Sequence, residues 1–149
     1  MIELKYTGVW PRVLGFLALS LAVVPLASAQ RRPEVRVYVN NSLVRFDRVA
    51  PVRIGRHILV PMRGVFEKMG ATVTYDARRR RVLAHRGKMS VVLPLSGRTA
   101  YVNGEPRLMD ARPRISKGHV VVPIRFLGET LDAGVIYSAP FHTVRVISH

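Results

Sequence analysis

The alternation of apolar and polar side chains predicts that the chain is built largely from short β-strands. Residues 35–39 alternate between the two kinds, Asn40 and Asn41 follow as a turn, and residues 43–46 form a second run rich in apolar side chains. Two such runs around a short polar turn indicate a β-hairpin. The uninterrupted apolar residues 58–60 predict one further short strand.

A short helix is predicted directly after this strand. Pro61 suits the start of a helix, where its missing N–H costs no hydrogen bond. Apolar residues then follow at the i, i+3, i+4, i+7 spacing of one helical face: Met62, Val65, Phe66 and Met69. Gly70 predicts the end of the helix, because glycine readily adopts the left-handed conformation found after the last turn.

The same order of signals occurs a second time. Residues 38–41 recur as 101–104 at an offset of 63, and residues 57–63 recur as 119–125 at an offset of 62. Two copies are too few for a solenoid. We therefore predict two pseudo-repeats, about residues 35–85 and 100–148, packed as one domain.

The second copy uses similar local chemistry. Asn103 and Gly104 form the dipeptide most typical of a type I′ hairpin turn. The second helix is predicted to start at Pro123, and Asp132 takes the place of Gly70 because Asp also tolerates the left-handed conformation.

A pair of strands is predicted after each helix, at residues 72–75 with 82–84 and at residues 135–137 with 144–147. Between the copies, Pro94 predicts that residues 89–95 form an edge strand or a bulge, since proline cannot donate to a central strand. The predicted fold class is α+β, with each pseudo-repeat made of a β-hairpin, a short strand, a short helix and a β-hairpin.

The first 29 residues have the pattern of a secretory signal peptide. Lys5 and Arg12 precede an uncharged apolar run of 12 residues at 13–24, and an Ala-Ser-Ala site ends at Ala29. This arrangement predicts cleavage between Ala29 and Gln30, leaving residues 30–149 in the cell envelope, the periplasm or the medium with no transmembrane helix. The alternative is a retained anchor, for which 17 uncharged residues are at the lower limit of length.

The charge of the chain is strongly positive and unevenly distributed. The net charge is +15; residues 30–99 contain 16 basic and 4 acidic residues, whereas residues 100–149 contain 6 and 4. An exported protein of this charge is expected to adhere to polyanions. An arginine excess that reflects genomic base composition is the alternative. The absence of cysteine excludes a disulfide scaffold, a cysteine nucleophile and a Cys-ligated metal.

Four adjacent arginines are the candidate polyanion contacts. Arg78, Arg79, Arg80 and Arg81 lie in the turn between two predicted strands, where the second copy has Pro140, Phe141, His142 and Thr143. Because the second copy makes the turn without them, the arginines are free to serve contacts. A solvated turn with no specific partner is the alternative.

Two Arg–Glu pairs are candidates for a structural clamp. Arg63 with Glu67, and Arg125 with Glu129, have i,i+4 spacing in the two copies. An exposed pair of this kind stabilises a helix by only about 0.2–0.5 kcal/mol. The duplication therefore suggests a geometric role, in which each arginine can also bond a strand carbonyl or a carboxylate such as Asp47 or Asp110.

No catalytic or metal-binding set is apparent. The five histidines lack helical ligand spacing, and the repeat equivalents His57 and His119 would make a poor metal pair without a third ligand. No serine lies in a nucleophile motif. We therefore expect no enzyme activity, no cofactor and no metal.

Taken together, these residues resemble the copper amine oxidase N-terminal domain-like, or stalk domain, family. The first copy matches at 39–41, 46–47, 59–63, 67, 70–73, 76 and 81–82, and the second at 102–104, 110, 121–125, 129, 133 and 135. The second copy departs after its helix at Asp132, Gly134 and Ser138, so its last hairpin is expected to be distorted. In amine oxidases this domain stands apart from the catalytic domain, which supplies the copper ligands and the quinone.

The resemblance implies an exported, non-catalytic accessory module of the bacterial cell envelope, with binding or structural function. Its expected partner is an anionic cell-wall polymer or an envelope protein. A general binder of nucleic acid or other polyanions is the alternative. Specific nucleic-acid recognition is disfavoured, because aromatic and basic residues do not interleave. A small secreted hydrolase, the third class, has no supporting constellation.

Overall fold

The computed structural model describes residues 34–149, so the predicted signal peptide and its cleavage point at Ala29 and Gln30 lie outside the described residues. Strands make up 51% of the described residues and are accompanied by two helices, in agreement with the predicted α+β class.

The elements follow one another in a regular order. They are β1 (Arg36–Val39), β2 (Ser42–Leu43), β3 (Val52–Ile54), β4 (His57–Pro61), α1 (Met62–Lys68), β5 (Thr72–Asp76), β6 (Arg81–Arg86), β7 (Met89–Pro94), β8 (Thr99–Val102), β9 (Glu105–Leu108), β10 (Arg114–Ser116), β11 (His119–Pro123), α2 (Ile124–Thr130), β12 (Ala133–Ser138) and β13 (Thr143–Ser148).

The strands form three sheets. Sheet A has the order β12-β13-β1-β2, sheet B the order β10-β11-β4-β3, and sheet C the order β5-β6-β7-β8-β9. In sheet A the last strand, β13, pairs in parallel with the first, β1, with Val37 opposite Val144. In sheet B the strands that precede the two helices, β4 and β11, pair antiparallel at the centre.

The turns adopt the conformations that their residues favour. Asn40 and Asn41 have φ angles of 47° and 63°, and Asn103 and Gly104 have φ angles of 51° and 84°. Two successive positive φ angles are the property of a type I′ turn, whose twist matches that of the flanking strands. Both predicted hairpins are therefore confirmed.

Each helix begins one residue after the proline that was predicted to open it, and each ends before the residue predicted to stop it. Pro61 and Pro123 are the residues directly before α1 and α2. Gly70 follows α1 with φ 82°, and Asp132 follows α2 with φ 52°. The apolar side of α1, which includes Val65 and Phe66, is fully buried.

The prediction for residues 89–95 is wrong. Strand β7 is the central strand of sheet C and lies between β6 and β8. Proline is tolerated because Pro94 is the last residue of β7, opposite Arg81 of β6, while the pairing with β8 involves only Val91 and Val92. The missing N–H of Pro94 therefore removes no bond between β7 and β8.

The expected distortion of the last hairpin is also wrong. Strands β12 and β13 pair through six consecutive residues, from Ala133 opposite Ser148 to Ser138 opposite Thr143. Gly134 and Ser138 both lie within this register, because an antiparallel ladder is made by the backbone and accepts these side chains on a partly solvated face.

The core lies between the sheets and the two helices. Its largest fully buried side chains are Phe66, Met62, Leu93, Met109 and Leu127, whereas Leu59 packs in a separate small cluster with Val49 and Val121. Buried valines on one side of β1 and β13, such as Val39 opposite Val146, complete it. The other side of sheet A therefore faces outward. The four arginines lie at the connection between β5 and β6 of sheet C.

Candidate anion-binding site

The four arginines, here called the arginine turn (Arg78, Arg79, Arg80 and Arg81), connect β5 to β6. Arg80 has a φ angle of 47°, and its backbone is fixed at both ends. Its N–H donates to the Ala77 carbonyl at 3.3 Å, and its carbonyl accepts from the Leu95 N–H at 3.0 Å. The backbone of the turn is thus held by one hydrogen bond within the turn and by one to Leu95, the residue after β7.

Asp76 engages two of the four arginines. Its Oδ1 accepts from the Arg79 backbone N–H at 3.1 Å, and its Oδ2 accepts from Arg81 Nε at 3.2 Å and Arg79 Nη1 at 3.4 Å. These bonds lower the pKa of the Asp76 carboxyl, chiefly through the Arg79 backbone N–H; burial opposes the effect, and the two guanidinium groups add to it. Arg79 and Arg81 are therefore partly neutralised in place.

Arg78 and Arg80 differ from the other two. Within residues 34–149 neither has a carboxylate within 4.0 Å. With Arg79 and Ser96 they line a surface hollow of about 280 Å³. Guanidinium groups present several donors to an anion, and hydroxyl groups add one more. The hollow has the composition and size to hold a phosphate or sulfate group.

Ser96 was not predicted from the sequence to belong to this site. The residue comes near the turn because β6 and β7 pair with Arg81 opposite Pro94, which places the end of β7 beside the arginines. No local signal in the sequence indicates this contact, since it depends on the register of two strands.

The predicted clamp residues are brought together only in the first copy. Arg63 Nε lies 3.6 Å from Glu67 Oε1, and Arg63 Nη2 donates to the Val73 carbonyl of β5 at 3.3 Å. The Arg63 side chain thus links α1 to the strand that follows it.

The second copy makes a different contact. Arg125 Nη1 lies 3.9 Å from Asp110 Oδ2, which is also 3.1 Å from His57 Nδ1, and no ion pair joins Arg125 to Glu129 among residues 34–149. Asp110 therefore connects β4 of the first half to α2 of the second. The role of the four residues as a clamp stays a prediction.

A cleft of about 460 Å³ lies beside Asp110, and Tyr137 is among its lining residues. The Tyr137 hydroxyl is buried and has no hydrogen-bond partner, the one such side-chain atom among residues 34–149. A buried hydroxyl without a partner costs about 1–3 kcal/mol.

Metal ligands do not cluster in the described part of the chain. No three His, Asp or Glu side chains between residues 34 and 149 are placed to share a metal ion. Over the same residues, no helix has the length and apolar character that crossing a bilayer requires.

Comparison with known proteins identifies the family. The family model of the copper amine oxidase N-terminal domain matches residues 38–146, from β1 to β13. A search of curated proteins gave no match. In copper amine oxidases this N-terminal domain is a non-catalytic stalk, and no catalytic family is indicated for the chain. The match spans well over half of the sequence, and we conclude that the chain belongs to the copper amine oxidase N-terminal domain family.

Proposed function

We propose that this protein is an exported, non-enzymatic binding module of the bacterial cell envelope that attaches to anionic polymers through the arginine turn. Family membership supports a non-catalytic accessory role. The signal-peptide pattern of residues 1–29 supports export. The observation that carries the binding role is the hollow at the arginine turn, where Arg78 and Arg80 have no carboxylate within 4.0 Å among residues 34–149.

Asp76 forms ion pairs with only two of the four residues of the arginine turn. Arg79 and Arg81 share one carboxylate, so their charges are already balanced in part. Arg78 and Arg80 keep their full charge at the surface, and an incoming phosphate or sulfate would meet these two without displacing a carboxylate. We therefore assign them the larger share of the binding.

Binding of this kind is mainly Coulombic and is weakened by salt. The Debye length is about 10 Å at 0.1 M and about 3 Å at 1 M, so exposed contacts are largely screened at high salt. Each anion contact that is lost also removes about one released counterion, which flattens the dependence of affinity on salt.

The test replaces only Arg78 and Arg80. In R78S/R80N, asparagine is chosen at position 80 because it tolerates the positive φ angle there. The matched control is R112S/R114S, which removes the same charge from two exposed residues in the less basic half. Affinity for teichoic acid is then titrated at several salt concentrations.

We expect R78S/R80N to bind teichoic acid at least tenfold more weakly than the control, with a flatter salt dependence. Equal affinities of the two variants would show that binding follows net charge alone and would refute the assigned site. Heparin and single-stranded DNA, titrated in parallel, test the alternative of a general polyanion binder, which predicts similar affinities for all three polymers.

We also infer that the two halves derive from one duplicated unit. The elements before β7 and after it occur in the same order, and the recurring residues of the two copies support this. The arginine turn is then a local addition to one copy, since its counterpart between β12 and β13 has a different sequence.

A further inference from the structure

The outward side of sheet A has an unusual composition for a solvated surface. Strand register places Ile136, Arg145, Tyr38 and Leu43 in one row across all four strands. Four of its large apolar side chains are strongly exposed: Leu43 by 43%, Ile136 by 56%, Ile147 by 42% and Phe141, in the β12–β13 turn, by 70%. Exposed apolar groups in one continuous patch commonly mark an interaction site.

This surface is concave and positively charged. A hollow of about 540 Å³ is lined by Arg36, Tyr38, Ile136, Phe141, Arg145 and Ile147, together with two hydroxyl residues. None of the lining residues is acidic. Between residues 34 and 149, neither Arg36 nor Arg145 lies within 4.0 Å of a carboxylate. Arg36 instead donates to the Phe141 backbone carbonyl at 3.4 Å, which holds its guanidinium at the β12–β13 turn.

The charge decides what can cover this side of the sheet. A symmetric pair of copies would place Arg36 and Arg145 of both molecules in one interface, and these like charges would oppose the contact. The occupant must therefore combine negative charge with apolar groups. Arginines that flank exposed Phe and Ile are the arrangement by which surface-bound proteins dock on anionic lipids, with the rings inserted and the cations at the headgroups.

We propose that the outward side of sheet A docks on an anionic lipid surface, with Arg36 and Arg145 at the headgroups and Phe141 and Ile136 among the acyl chains. This site is separate from the arginine turn, which lies on sheet C, and does not depend on the function proposed above. The apolar part of the sheet A site distinguishes it from the arginine turn, because contact with acyl chains survives salt concentrations that screen purely Coulombic binding.

The test uses F141S/I136S and sedimentation with vesicles of phosphatidylglycerol or of phosphatidylcholine. The matched control is L108S/Y101S, which removes an aliphatic and an aromatic side chain that are 69% and 42% exposed on sheet C. R78S/R80N is included to separate the two proposed sites. Thermal unfolding checks each variant, and F141S alone serves if the strand substitution perturbs folding.

We expect the wild type and L108S/Y101S to sediment with phosphatidylglycerol vesicles and to retain part of this binding at 1 M salt. F141S/I136S should lose at least tenfold in vesicle affinity and all of the salt-resistant part, while keeping its affinity for teichoic acid. R78S/R80N should show the reverse.

Three results would overturn the proposal. The first is equal vesicle binding by F141S/I136S and the control. The second is no binding of the wild type to phosphatidylglycerol, which would favour an acidic protein as the occupant. The third is dimerisation of the wild type that F141S/I136S abolishes, since a second copy would then cover the surface.

Discussion

Replacing Gly128 with alanine should destabilise the protein although alanine is the better helix former. Gly128 lies within α2, where the intrinsic gain from alanine is about 1 kcal/mol. A Cβ at this position would lie 2.3 Å from Val135 Cγ2 and 2.9 Å from the Ala133 carbonyl oxygen of β12. Neither neighbour can move easily, because Val135 is restricted about χ1 and the carbonyl belongs to a paired strand.

The expected cost can be bounded from these contacts. Overpacking in a well-packed core costs about 1–3 kcal/mol, and a clash with backbone as well as side chain places this site at or above the upper end. After the helical gain is subtracted, we expect a net loss of about 2 kcal/mol. For a domain of this size, that loss lowers Tm by roughly 6–10 °C.

The assay compares the thermal and urea unfolding of G128A with that of G64A, the matched control. In α1, a Cβ on Gly64 would lie 3.0 Å from Cε1 of Phe46, a half-buried ring that can turn away, so G64A should stay within about 1 kcal/mol of the wild type. In G128A/V135A, removal of the valine methyl groups should recover part of the stability that their clash costs. A G128A protein as stable as the wild type would mean that α2 does not approach β12 this closely.

Three further predictions concern single positions. Y137F should leave stability unchanged or raise it by up to about 1 kcal/mol, because it removes the buried hydroxyl without a partner; a clear loss in urea unfolding would show that the hydroxyl is bonded. Asp76 has a lowered pKa, so its contribution is present above the unfolded-state pKa and is lost as pH falls through the folded-state value. D76N should accordingly narrow the stability difference between pH 7 and about pH 3, and an unchanged pH profile would contradict this. The exported chain should begin at Gln30 by mass spectrometry, and a mature protein that retains residues 1–29 would show that the segment is an anchor.

Local signals were sufficient for the helices and hairpins. Pro61, Gly70 and the Asn103–Gly104 dipeptide each act through the backbone conformation that the residue itself prefers, so neighbouring residues carry the information. The structure confirms the helix bounds and the hairpin turns on this basis.

The pairing of strands and the contacts between residues far apart in the chain could not be predicted from the sequence. Pro94 would indicate an edge strand only if the backbone at this position had to donate an N–H to a neighbouring strand. The pairing of β7 with β8 ends before Pro94, so no such donor is needed there. The sequence indicated a strand carbonyl, Asp47 or Asp110 as alternative partners of the two arginines. The choice of Asp110 by Arg125 depends on where the loop after β9 lies. The hollow at the arginine turn and the outward side of sheet A are both products of strand register, which side-chain periodicity alone does not define.

The parallel pairing of β1 with β13 has a consequence for the order of folding. The two strands lie more than a hundred residues apart in sequence, whereas β5, β6 and β7 are successive antiparallel neighbours in sheet C. Contacts between distant segments form slowly, because the intervening loop must close first. When the chain emerges N-terminus first, sheet C can assemble while the β1–β2 hairpin still lacks β13, the second neighbour of β1. Sheet A, with its exposed apolar side, is then completed only after the last strand has appeared.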